Sequence, residues 1–112
     1  MDKEIDMRVA NALGWREVDE VLGVLVGRMP VTDFRSNYFS RVPPYSTLIA
    51  AAWPVHKKAC SLLFSKRRRY FQLLADCIRL RMDIAFTPAW PDALVFLEPI
   101  DICNAFIAVM KE

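Results

Sequence analysis

The densest concentration of chemically capable side chains in this 112-residue chain is Ser65-Lys66-Arg67-Arg68-Arg69-Tyr70. Four consecutive cations can form charge-assisted hydrogen bonds to phosphate or carboxylate, and a tyrosine beside them can stack on a base. Most charge runs are simply solvated faces. This one carries an electrostatic conflict: in a helix starting at Ser65 all four cations occupy the N-terminal turn, where the helix dipole disfavours each by about 0.3–1 kcal/mol. Either that helix continues the one before it, or an anion compensates; phosphate, nucleic acid, a nucleotide or an acidic protein surface would serve.

The remaining candidates for chemistry are few. The single histidine, His56, lies on an apolar helical seam with no serine, cysteine or carboxylate read at a partner spacing. It is therefore expected to be a partly buried histidine bonded to a neighbour, with a small hydrolase using His56 as base kept as the remote alternative. Cys60, Cys77 and Cys103 lie far apart without C-x-x-C spacing, so a zinc site is not expected and the thiols read as reduced, buried, small hydrophobes. With glycine only at 14, 23 and 27 there is no phosphate-cradling loop, and no serine sits in a nucleophile elbow. Asp2, Glu4 and Asp6 read as an exposed, dipole-complementing first turn. No catalytic residue, cofactor or metal ligand is assigned.

Length and composition bound the answer further. The chain fits one domain over residues 1–112, and its hydrophobic share of 54% is high for a soluble domain. No apolar run approaches the roughly 20 residues that cross a bilayer, so a soluble protein is expected, with surplus apolar surface available for homo-oligomerisation. Behind Met1 there is an acidic stretch rather than a basic and apolar one, which predicts neither a secretory signal nor a transit peptide, and hence a cytoplasmic location. The net charge of +2 conceals an asymmetry. Between residues 56 and 81, Lys57, Lys58, Lys66, Arg67, Arg68, Arg69, Arg79 and Arg81 face Asp76 as the sole acid. So small a total argues against a dedicated duplex-DNA binder, and a host protein or a small anionic ligand ranks above nucleic acid as partner.

These residues must be positioned by regular elements. Val42 to Trp53 contains Pro43 and Pro44, then Tyr45, then Ser46 and Thr47, a hydroxyl pair able to cap a helix near Thr47. The spacing predicts helices near 3–13, 47–63, 66–82 and 99–110, with Tyr45, Trp53 and Phe106 in or near the core. Gly14 is read as the residue that ends the first helix. Trp15 to Val18 and Val21 to Val26 read as a hairpin turning at Asp19-Glu20, with Val18 to Val26 as a short buried helix the alternative. Met29 to Arg41 reads as a loop carrying exposed aromatics Phe34, Tyr38 and Phe39, a second candidate protein-contact surface. Tyr70 to Met82 reads as a helix buried over most of its circumference, and Ala93 to Leu97 as a strand covered on both faces. Pro99 at the first helical position opens the last helix. The fold class is α+β, a small and mainly antiparallel sheet sandwiched between helical layers.

Two places resemble the phage ABA-sandwich domain family, small phage- and prophage-encoded proteins with a sheet between helical layers. One is Gly14-Trp15 followed by the Pro43-to-Trp53 pattern; the other is the closing pattern Pro99, Ile102, Cys103 and Ala105. The resemblance implies a phage origin and an intracellular accessory role without an established activity. Together with the residue reading it leads to the expectation of a non-enzymatic binding module acting on a host protein or small anionic ligand, with a possible role against host defences. Nucleic-acid binding through Lys66 to Arg69 is the alternative.

Overall fold

A computed structural model describes residues 3–30, 39–82 and 97–112. The order is α1 (Lys3–Leu13), β1 (Arg16–Val21), β2 (Val24–Arg28), β3 (Phe39–Arg41), α2 (Ile49–Cys60), α3 (Phe64–Met82) and α4 (Pro99–Lys111). The three strands form one antiparallel sheet in the order β1-β2-β3. An α+β class with a small antiparallel sheet therefore stands. Among the described residues no helix is long and apolar enough to cross a membrane.

Local chemistry explains where α1 stops. Gly14 takes φ +100°, its N–H donates to the Asn11 carbonyl, and the Trp15 N–H donates to the Ala10 carbonyl. That pair of bonds is a Schellman cap, which satisfies two orphan carbonyls and needs the left-handed backbone glycine adopts freely. The chain then enters the hairpin, so the strand reading of residues 15–26 is the right one. It turns at Leu22-Gly23 rather than at Asp19-Glu20: both residues have positive φ, and Val21 pairs with Val24 across them. Two positive φ values are what a two-residue type I′ turn requires. Asp19 and Glu20 instead lie in β1, beside a bulge between Arg16 and Asp19. The end of the expected loop is also revised, because Phe39–Arg41 pairs with β2 as a third strand.

The helices pack around α4, not around α3. Ile102, Cys103, Ala105, Phe106 and Val109 of α4 are buried, and α1, α2 and α3 all pack against it. The apolar stretch of α3 is an ordinary amphipathic helix whose inner face is Tyr70, Leu74, Ala75 and Ile78, while Leu80 is exposed. Composition alone could not separate these two helices, since both are apolar over most of their turns. Leu80 and Met82 are helical, and the expected strand from Ala93 falls largely outside the described residues.

The Tyr45-Ser46-Thr47 segment does not cap α2. Leu48 is the N-cap without a side-chain bond, and the Thr47 and Leu48 N–H groups both donate to the Pro44 carbonyl. Ser46 serves tertiary structure: its N–H donates to Asp6 Oδ1 at 2.8 Å. Asp6 is thus 1% exposed, not part of a solvated first turn, and it pins the entry of α2 to α1. A buried carboxylate needs such a donor, because a charge left unpaired in the interior costs several kcal/mol. Tyr45 and Phe106 are buried as expected. Helix α2 runs through Pro54, which lies on the exposed side together with Ala50, so water can reach the carbonyl that loses its donor.

Candidate functional site: the corner between α2 and α3

Helices α2 and α3 are separate, joined through Ser61, Leu62 and Leu63. The electrostatic conflict anticipated for the basic run is real for part of it: α3 begins at Phe64, so Lys66 and Arg67 fall in its first turn, while Arg68 and Arg69 lie beyond it, where the dipole effect fades. Compensation from within the chain is partial. Arg69 Nε lies 3.0 Å from Glu112 Oε1 at the end of α4, and the Arg67 guanidinium sits 5.6 Å from the Phe64 ring centre. Among the described residues neither Lys66 nor Arg68, nor Lys57 or Lys58 at the end of α2, makes an ion pair.

Tyr70 belongs to a different environment from the cations that precede it. It is 0% exposed, so its ring cannot stack on a ligand base. The reason is helical geometry: Tyr70, Leu74 and Ile78 repeat every four residues on the face that meets the core, while the arginines before it face solvent. Its hydroxyl lies 2.8 Å from His56 Nδ1. The expectation for His56, a partly buried histidine bonded to a neighbour, matches this arrangement.

One member of the site escaped the sequence reading. Cys60 stands four residues after His56, one helical turn along the same face, and its Sγ lies 3.6 Å from His56 Nε2. The i,i+4 spacing was visible in the sequence. Burial lowers the His56 pKa and raises that of Cys60, the latter opposed by the charge of Arg67. Both groups therefore sit in their neutral forms at neutral pH, which is not the thiolate–imidazolium pair of a cysteine nucleophile. Among the described residues no carboxylate bonds to His56 to orient it.

Trp53 departs most from expectation. It is 47% exposed, with its ring centre 4.9 Å from that of His56. The face of α2 that packs inward is Ala52, Val55 and Ala59, small residues that let the helix approach α4 closely. Trp53 stands on the outer flank with Ile49, one turn before it and also exposed. Phe71 meets His56 edge-on at 6.0 Å from the α3 side. The two helices thus present an exposed Ile49–Trp53 stripe on α2, a His56–Tyr70–Phe71 contact between them, and Lys66 and Arg68 on α3 without an ion pair among the described residues.

The second candidate surface is only partly described. Phe34 and Tyr38 lie outside the described residues; Phe39 is exposed in β3, with the Arg28 guanidinium 4.5 Å from its ring centre. Compared with protein-family models, curated proteins and solved structures, the chain matches none.

Proposed function

We propose that this chain is a non-enzymatic binding module that holds an apolar, acid-rimmed segment of another protein at the corner between α2 and α3. The observation that carries the reading is the exposure of Ile49 and Trp53 on α2, followed in the chain by α3, whose Lys66 and Arg68 make no ion pair among the described residues. Tryptophan and arginine are the residues most enriched among those that dominate binding energy, and an acidic rim on the partner relieves the unfavourable dipole interaction. The family resemblance adds a setting, a phage- or prophage-encoded accessory protein meeting a host protein in the bacterial cytoplasm. Neutral His56 and Cys60 support a role without turnover.

The test compares the parent with Trp53→Ala and with a Lys66→Glu, Arg68→Glu double variant. Co-purification from bacterial extract over a salt series is the readout, with labelled oligonucleotide titrated in parallel. One protein partner lost by both variants, each still folded by circular dichroism, is the expected result. Oligonucleotide binding with a steep salt slope, abolished by the double variant and untouched by Trp53→Ala, would replace the reading with the nucleic-acid one.

A further inference from the structure

We infer that the cleft between the end of α1 and one face of α2 binds a small amphipathic monocarboxylate, its chain against apolar walls and its head group at Lys58. None of the residues assigned above to the partner surface takes part. The cleft encloses about 560 Å³, inside the range of about 300–1,000 Å³ usual for small-molecule sites. Its α2 wall is the stripe Ala50, Pro54 and Lys58, at the i, i+4, i+8 spacing of one helix face, with Ala51 beside it. The two alanines keep the space open, since any larger side chain at either position would fill part of it.

The facing wall is built from rigid pieces. Trp15 and Tyr45 line it at 7% and 5% exposure, and the Trp15 indole N–H donates to the Tyr45 hydroxyl, so each ring fixes the other. Pro30 and Pro43 stiffen the backbone on either side. A cleft preformed in this way has little left to order when a ligand enters. The head group follows from charge. Lys58 is the sole charged residue lining the cleft, is exposed, and makes no ion pair among the described residues. One lysine matches one negative charge. A doubly charged phosphate fits less well, because Lys58 lies in the last turn of α2, where the helix dipole disfavours surplus negative charge. An apolar chain ending in a single carboxylate satisfies both the walls and the cation.

Titration calorimetry with octanoate tests the inference, with octanol and octylammonium as charge controls. The parent should bind one octanoate per chain with a dissociation constant below about 1 mM. Octanol should bind about fivefold more weakly, the worth of one part-exposed ion pair, and octylammonium more weakly still. Lys58→Ala should weaken octanoate about fivefold and leave octanol unchanged, while Lys66→Ala should change neither. Ala51→Phe, which fills the cleft, should cut the binding of both at least tenfold. Circular dichroism checks the fold of each variant, and exposed Lys58→Ala is the one least able to disturb it. No saturable octanoate binding, equal binding of octanoate and octanol, or parent-like binding by Lys58→Ala would overturn the site. So would a dimer in solution that Ala51→Phe dissociates and octanoate leaves intact, which would assign the cleft to a second copy of the chain.

Discussion

The two ends of α3 carry similar residues and opposite electrostatics. At its C-terminal end Arg79 and Arg81 stand where the dipole favours cations, and Arg81 is used fully: its Nε and Nη2 reach Asp101 at 3.0 Å each, and its Nη1 lies 3.2 Å from Glu98 Oε1. Asp101 is 1% exposed and also accepts the Glu98 N–H at the start of α4, so one ion pair closes two helix ends. At the N-terminal end Lys66 stands in the first turn, where the dipole opposes it, with Arg68 just beyond, and neither makes an ion pair among the described residues. Arginine content is the same kind of signal at both ends; what separates structure from candidate function is whether the fold supplies the counter-charge.

The largest effect expected is at the closed end. Arg81→Ala leaves Asp101 buried without its cation and should cost about 3–5 kcal/mol in urea unfolding. A loss below about 1 kcal/mol would show that the pair is no more than a surface bridge and would dissolve the contrast. At the open end the sign reverses. Lys66→Glu should stabilise by about 0.3–1 kcal/mol, since acids suit a helix N-terminus, and Arg68→Glu by less, since it lies beyond the first turn; both should weaken partner binding. Destabilisation there would mean that the fold already neutralises these cations.

Trp53 sharpens the same contrast. As a half-exposed residue whose main described contact is the His56 ring, it should cost about 1 kcal/mol or less on Trp53→Ala, not the cavity penalty of about 3–5 kcal/mol expected of a core tryptophan. A melting-temperature drop of core size would return Trp53 to the interior. The smallest effect concerns pH. Because burial depresses the His56 pKa, the unfolded chain binds a proton more readily than the folded one below 6.5. The His56 contribution is thus intact above that value and declines as pH falls toward the lower folded pKa, where the decline levels off. Urea midpoints at pH 5 and pH 7 should draw closer together in His56→Gln than in the parent. An equal or wider gap would place the acid sensitivity elsewhere, in the carboxylates.

What the sequence by itself determined about this protein is local. The span of α1, its Gly14 end, the Pro99 start of α4 and the burial of Tyr45 and Phe106 follow from capping chemistry and short-range periodicity, which need no knowledge of neighbours. Tertiary structure alone decided which face of each helix turns inward. On α2, where Leu48 to Val55 is apolar all round, the choice fell to Ala52, Val55 and Ala59 because close packing on α4 favours small side chains, and this pushed Trp53 outward. The same kind of choice drew Tyr70 away from its arginine neighbours to His56, and made Asp6 a buried anchor for Ser46 rather than a solvated charge. A polar group's role depends on the partner the fold delivers across many residues, and periodicity within one helix carries no information about that partner.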